Sequence, residues 1–264
     1  MTTAFTEGQV QALRSVIGLW GETTVVLVGA SALGCFLEFR WRKTHDLDLS
    51  VLVSLEDYAA GLATLPGWQP DSRLEHRWHA TGNVVVDFIP IGGAVPGDTE
   101  IVWPRTGSRM SLAGLQLAFD KAEQFELTSD DRIGVAPPAV IAILKTVAYL
   151  DRPHERERDL EDLTHLLDEY LPENDDRRFS DDVVDLQLDY EDVSAFRLGR
   201  DIANMAGAPE LRAVSGFVAR VLDERDSAAT LARMTRVGPR SWREDPEVLV
   251  KRLAAFGRGL ADRS

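Results

Sequence analysis

The chain has 264 residues, 44% of them hydrophobic and 27% charged, which is typical of a soluble globular protein with a sizeable core. Its formal net charge of −14 argues against nucleic-acid binding over the whole surface, because nucleic-acid binders usually carry a basic footprint. No apolar run reaches the ~18 residues of a membrane span, and the single cysteine, Cys35, excludes an intramolecular disulfide. We therefore expect a cytoplasmic protein with no membrane partner.

The first half of the chain alternates between strand and helix patterns after an amphipathic N-terminal helix. The β-branched run at 23–28 predicts a buried strand, and Gly29 predicts the turn that ends it. The later patterns predict a helix at 31–42, a strand at 46–53 and a helix with a capping serine at 54–65. They also predict a hairpin of two strands at 73–80 and 83–91, and a short strand at 99–104.

The second half of the chain has only helix patterns. Residues 139–150 are almost uniformly apolar, and residues 154–171 are amphipathic with a leucine stripe. Residues 180–262 continue as helices. We therefore expect an α/β (α+β) sheet unit over residues 1–135, followed by a helical part over residues 136–264.

Two aspartates stand side by side on the strand predicted at 46–53. Because side chains alternate between the faces of a strand, Asp46 and Asp48 share one face, and the opposite face is apolar. Asp87 interrupts another apolar strand, where an ionised carboxylate is costly unless it is paired or bound to a cation. The three carboxylates predict a site for Mg²⁺ or Mn²⁺, with two ions bound. The alternative is a strand face that points into solvent.

Two features near this strand are suited to phosphate. Gly29 lies at a strand-to-helix turn, where the missing side chain allows backbone amides to approach a phosphate. Ser31 either caps that helix or donates a hydrogen bond to a phosphate oxygen. Arg42, in a cationic cluster with Arg40 and Lys43, either neutralises incoming phosphates or offsets the nearby acids.

Together these motifs resemble the DNA polymerase β-type nucleotidyltransferase superfamily, in which a hydrophobic-Gly-(Gly/Ser) turn and a helix precede Asp-hydrophobic-(Asp/Glu). They are similar in particular to the toxin nucleotidyltransferases of the abortive-infection AbiEii type and their mycobacterial MenT-type relatives. The similarity covers about residues 25–167 and is carried by Gly29-Ala30-Ser31, by residues 42–48 (R-K-T-H-D-L-D), by Lys145 and by residues 158–163 (R-D-L-E-D-L). The chain departs from the pattern in having Ala30 where glycine or serine is usual.

The resemblance implies a polymerase-β-like mixed sheet with flanking helices and a role for each matching residue. Asp46 and Asp48 would be metal ligands, and Asp87 would be the third carboxylate, which bridges the metal and polarises or deprotonates the acceptor hydroxyl. The nucleotide-binding residues would be Gly29, Ala30, Ser31, Arg42, Thr44 and Lys145.

Lys145 is the one charged residue of the apolar segment at 139–150. A buried ammonium group needs an anionic partner unless its side chain reaches water at a helix edge. The resemblance implies that Lys145 contacts a triphosphate, and that Asp159 or Asp162 orients Lys145 or the acceptor. The alternative for these two aspartates is a solvated helix face on which Asp162 pairs with Arg158.

The expected activity is metal-dependent transfer of NMP from an NTP to an acceptor hydroxyl, with release of pyrophosphate. The resemblance implies that the acceptor can be the 3′ end of tRNA, and that the chain is the toxin of a toxin–antitoxin or abortive-infection system with a cognate antitoxin. Two alternatives remain. The acceptor is a protein side chain or a small molecule, which the net charge of −14 favours, or the chain is a non-catalytic nucleotide-binding module of the same fold.

Overall fold

A computed structural model describes residues 5–38, 41, 44–92, 100–223 and 228–262, apart from the side chain of Asp182. Within these residues the chain is a mixed α/β protein, as predicted, with a seven-stranded mixed sheet and flanking helices. It divides into two compact units, Met1–Ile141 and Ala142–Ser264, here called the sheet unit and the helical unit; the sequence predicts the division after residue 135. No helix among the described residues is long and apolar enough to cross a membrane.

The sheet unit alternates strands with short helices. Its elements are α1 (Glu7–Trp20), β1 (Val25–Val28), α2 (Gly29–Phe36), β2 (Leu47–Val51), α3 (Leu55–Leu62), β3 (Gln69–Pro70), β4 (Arg77–Ala80), β5 (Val84–Pro90), β6 (Glu100–Val102), β7 (Arg109–Ser111), α4 (Leu115–Asp120), β8 (Glu123–Glu126) and β9 (Arg132–Val135). Helix α5 (Pro138–Asp151) begins in this unit and continues into the helical unit.

The sheet places β2 and β1 at its centre, in the order β3-β4-β5-β2-β1-β9-β8, while β6 and β7 pair separately. Strand β2 is parallel to β5, and β1 is parallel to β9; the other neighbours in the sheet are antiparallel. The predicted hairpin is present as β4 and β5. Its turn contains Gly82 and Asn83, both with positive φ, of 79° and 61°.

The alternation of β2 separates the core from the opposite face of the sheet. Leu47, Leu49 and Val51 are fully buried, as are the apolar residues of β1 on the next strand. Asp48 and Ser50 occupy the alternate positions, as the period of two predicts. Ser50 is buried and donates its hydroxyl proton to a carbonyl of β5. The apolar positions therefore hold β2 in register while Asp48 stays half-buried.

Capping residues visible in the sequence begin two of the helices. Oγ1 of Thr6 accepts from the backbone N–H of Gln9, and Oε1 of Gln9 accepts from the backbone N–H of Thr6. This capping box begins α1. Ser54 accepts from the backbone N–H of Asp57 and begins α3. The predicted bounds of the helix after β1 are wrong, because α2 begins at Gly29 directly after the strand and ends at Phe36.

The helical unit continues α5 with seven further helices among the described residues. They are α6 (Glu157–Glu169), α7 (Asp181–Val184), α8 (Val193–Met205), α9 (Ala208–Leu222), α10 (Ala228–Val237), α11 (Arg240–Glu244) and α12 (Pro246–Ala261). Arg252 of α12 is buried and contacts Asp168 of α6 and Asp192, which precedes α8. The buried guanidinium of α12 therefore links α6 and the start of α8 through its two carboxylate contacts.

Candidate active site

The three predicted metal ligands lie next to one another in the sheet unit. Asp46 immediately precedes β2, and Asp48 is the second residue of that strand. Asp48 is opposite Asp87 in the parallel register of β2 with β5, so both side chains project from the same face of the sheet. Asp46 and Asp87 both accept from Nη2 of Arg77, at 3.5 and 2.8 Å. Two neighbouring strands and one guanidinium thus connect the three carboxylates.

Gly29 is the residue of α2 that allows the carboxylate of Asp48 to approach. Its φ is +70°, which a residue with a side chain rarely adopts. A β-carbon at this position would lie 2.1 Å from Oδ2 of Asp48. The carboxylate therefore lies against the first residue of α2, where the helix dipole favours negative charge.

Ser31 does not cap α2, so that part of the prediction is wrong. The helix begins two residues earlier, and its N-cap position, Val28, has no side-chain hydrogen bond. The buried hydroxyl of Ser31 donates to the carbonyl oxygen of Asp46 at 2.6 Å. This bond ties α2 to the segment that enters β2, so Ser31 helps to position Asp46.

The other predicted nucleotide-binding residues of this unit have less defined surroundings. Ala30 is buried in the first turn of α2. Thr44 is half-buried in the segment before β2. Arg42 lies outside the described residues, as do Arg40 and Lys43. Nucleotide binding by these residues stays a prediction.

Arg77 is the residue that the sequence-based reasoning missed. It donates from Nε to Oδ1 of Asp87 at 2.7 Å and from Nη2 to Oδ2 of Asp87 at 2.8 Å. This two-point bond raises the pKa of the guanidinium further above its ordinary value, although partial burial opposes the shift. In the observed register, Thr81, Gly82 and Asn83 separate the two strands, and this places Arg77 opposite Asp87. The strands predicted at 73–80 and 83–91 would instead place His76 there, so the sequence-based prediction did not reveal the pair.

The compensating charge therefore differs from the one that the sequence suggested. The sequence predicts divalent ions as the positive charge beside the three aspartates, whereas Arg77 supplies positive charge to two of them in the structure. Among the described residues, no three His, Cys, Asp or Glu side chains form a group that could hold a metal ion as they stand. The donors themselves are carboxylate oxygens on one face, the chemistry that Mg²⁺ and Mn²⁺ require. The chemistry of these donors fits such ions, but ion binding by the three aspartates stays a prediction.

A second charged cluster lies within the helical unit. Nζ of Lys145 contacts Oδ1 of Asp159 at 2.7 Å and Oδ2 of Asp162 at 2.8 Å. The side chains of Lys145 and Asp162 are 8% and 0% exposed, which excludes both a lysine that reaches water and a solvated face for Asp162. The contact that the resemblance implies between Lys145 and a triphosphate stays a prediction.

The two carboxylates determine the protonation of Lys145. Burial disfavours the ammonium form, but the negative charges of Asp159 and Asp162 and their hydrogen bonds outweigh it, so the pKa of Lys145 is raised above its ordinary value. Lys145 is therefore a cation at neutral pH. It joins α5 to α6 through a charged pair of contacts inside the helical unit.

No protein-family model matches the chain, and a search of curated proteins gives no match either. Function is therefore inferred from the geometry of the aspartates, Gly29 and Arg77.

Proposed function

We propose that the chain is a metal-dependent nucleotidyltransferase that transfers NMP from an NTP to an acceptor hydroxyl. The observation that carries the proposal is the placement of Asp46 directly before β2 and of Asp48 and Asp87 on the adjacent strands β2 and β5, with Asp48 against Gly29 at the start of α2. Carboxylates beside a helix N-terminus combine ligands for divalent cations with backbone donors for phosphate. A site that binds a nucleoside triphosphate with its cations needs both the cation ligands and the phosphate donors.

The three aspartates have two tasks in this reaction. All three would hold the divalent ions, which would supply positive charge to the attacking and leaving oxygens. Asp87 also accepts the proton of the acceptor hydroxyl as its oxygen attacks the α-phosphorus. The bond from the α-phosphorus to the bridging oxygen then breaks, and pyrophosphate leaves with the electron pair. Ser31 keeps Asp46 in place through the bond to its carbonyl oxygen.

The proposed acceptor is the 3′ end of a tRNA, and the proposed setting is a cytoplasmic toxin–antitoxin or abortive-infection system with a cognate antitoxin. The resemblance of the motifs supports this acceptor. The net charge of −14 favours a second candidate, in which a protein side chain or a small cationic molecule accepts the NMP, because RNA is repelled by much of such a surface.

One labelling experiment separates these acceptors. The purified chain is incubated with each α-³²P-labelled NTP, Mg²⁺ and a cell lysate, and label is counted in the tRNA, protein and small-molecule fractions. The proposal predicts label in the tRNA fraction, which the Asp46→Asn variant does not produce. Label in another fraction selects the second acceptor class. An absence of label in every fraction, with NTP bound, would favour a non-catalytic nucleotide-binding module.

The toxin role has a separate test in cells. Induced expression of the wild-type chain in bacteria is expected to arrest growth, and expression of Asp46→Asn at the same level is expected not to. Equal growth of both cultures at equal protein level would contradict the toxin role and leave the transfer activity to the labelling experiment.

A further inference from the structure

Arg77 is held by the same carboxylates that are proposed to bind the metal ions. Its Nε and Nη2 occupy both oxygens of Asp87, and Nη2 also reaches Oδ2 of Asp46 at 3.5 Å. The side chain of Asp87 is 16% exposed and that of Arg77 is 28% exposed, so water screens this contact only in part. A two-point bond between a guanidinium and a carboxylate is among the stronger polar contacts in proteins.

A divalent ion and the guanidinium of Arg77 require the same oxygen atoms. Carboxylate oxygens directed at a guanidinium have their lone pairs engaged, and a nearby positive charge repels a second cation. An ion that binds Asp46 and Asp87 must therefore displace the contacts of Arg77. An NTP brings the negative charge that can receive the released guanidinium.

We propose that Arg77 is a built-in counterion that competes with the divalent cation for Asp46 and Asp87 and moves to the triphosphate when a nucleotide binds. The competition makes the cation bind weakly to the free protein and more tightly together with the nucleotide. This inference rests on the proposed function for the identity of the nucleotide, but its cation-binding part concerns the free protein alone.

The first test measures Mn²⁺ binding without nucleotide. The electron paramagnetic resonance signal of free Mn²⁺ is followed during titration of wild-type protein and of Arg77→Gln. The variant is expected to bind Mn²⁺ about tenfold more tightly, because the competing charge and its two hydrogen bonds are gone. Affinity that is unchanged or weaker in Arg77→Gln, or an absence of binding to both proteins, would overturn the proposal.

Two further variants show that the effect comes from the contact and not from net charge or misfolding. Arg132→Gln removes a positive charge from the sheet unit at an exposed side chain that pairs with Glu126, and it is expected to bind Mn²⁺ like wild type. Arg77→Lys keeps the charge but loses the two-point bond, so its affinity is expected to lie between those of wild type and Arg77→Gln. Far-ultraviolet circular dichroism confirms that each variant is folded before titration. An Arg132→Gln variant that gains affinity as Arg77→Gln does would overturn the proposal.

The second test adds a nucleotide that cannot be cleaved at the α-phosphate, with each of the four bases in turn. Mn²⁺ affinity is expected to rise for wild type. It is expected to rise less for Arg77→Gln, because Asp46 and Asp87 have lost the contacts of Arg77 in that variant before the nucleotide is added. An equal rise in both proteins would overturn the nucleotide-linked release of Arg77. Failure of the labelling experiment alongside tighter Mn²⁺ binding by Arg77→Gln would reject the transferase activity but keep the counterion role, so the two failures are distinguishable.

Discussion

The carboxylate of Asp48 is packed against the α-carbon of Gly29, so that a β-carbon on residue 29 would lie 2.1 Å from Oδ2 of Asp48. Gly29 also has a φ of +70°. Both facts reserve this position for glycine, at the point where β1 ends and α2 begins. The turn at Gly29, where we propose that a phosphate binds, and the strand that carries Asp48 therefore pack directly against each other.

Gly29→Ala is therefore expected to remove nucleotidyl transfer and to lower the free energy of unfolding. The added methyl group displaces Asp48, and the positive φ alone costs an L-residue about 1–2 kcal/mol. Urea unfolding and the labelling assay measure the two effects. Gly34→Ala is the control in the same helix, because a β-carbon there meets no atom within 4 Å. Equal stability and activity in the two variants would contradict the close packing of Gly29 against Asp48.

Lys145→Met is expected to destabilise the helical unit by about 3–5 kcal/mol, because it removes the ammonium group from two carboxylates with little access to water. Urea denaturation followed by circular dichroism measures the loss. Lys251→Met, at an exposed position of α12 in the same unit, is the matched control and is expected to unfold at the wild-type midpoint. A Lys145→Met variant that also unfolds at that midpoint would show that the cluster contributes little to stability.

Cys35 is expected to react slowly with iodoacetamide in the native protein. Burial raises the pKa of its thiol from 9.0 to about 12, so at pH 8 the reactive thiolate is scarce. We expect alkylation at least about 100-fold slower in buffer than in 8 M urea, measured by mass spectrometry. The chain has no other cysteine, so the adduct reports this thiol alone. Equal rates in the two conditions would show that Cys35 is accessible and ionises normally.

The same pKa shift has a consequence for stability at high pH. Because the folded protein holds the proton of Cys35 more firmly than the unfolded chain, the contribution is complete below pH 9.0 and is lost as the pH rises towards about 12. A Cys35→Ser variant is expected to lose less stability across that interval than wild type, as urea midpoints at pH 8 and pH 11 would show. The same loss in both proteins would contradict the shift.

The sequence predicts well those features that depend on local pattern. The alternation of β2 places Asp48 on the face that its apolar neighbours do not share, and Thr81-Gly82 between two strand patterns predicts the hairpin of β4 and β5. The buried strands and amphipathic helices follow from the same periodicities. Capping residues such as Ser54 also mark a helix start correctly.

Contacts between distant segments account for the rest. The bond from Ser31 to the carbonyl of Asp46 joins residues fifteen apart, and nothing local distinguishes it from a cap. The hairpin of β8 and β9 is not predicted, because Glu123–Glu126 has three exposed residues and no apolar alternation. Its position next to β1 depends on the parallel pairing of β9, which no local signal encodes.

Arg77 was missed for a different reason. Its partner Asp87 is visible in the sequence, but the pair depends on the exact register of the hairpin, in which Thr81, Gly82 and Asn83 separate the strands. An isolated carboxylate in an apolar strand predicts a metal ligand, whereas the side chain that balances Asp87 in the structure comes from the neighbouring strand. Cross-strand positions are therefore a useful check wherever an aspartate interrupts an apolar strand.

The rate of NMP transfer by Asp48→Asn, measured with α-³²P-labelled NTP and the acceptor fraction that wild type labels, tests whether the aspartates of the sheet unit carry out the proposed reaction. The substitution keeps the shape of the side chain and removes its charge. Asp130→Asn, at an exposed position of the same unit, is the control. If Asp48 is a metal ligand in this reaction, we expect a rate at least about 100-fold below wild type for Asp48→Asn and a wild-type rate for Asp130→Asn. A rate for Asp48→Asn within twofold of wild type, or a wild-type protein that labels no fraction, would contradict this expectation.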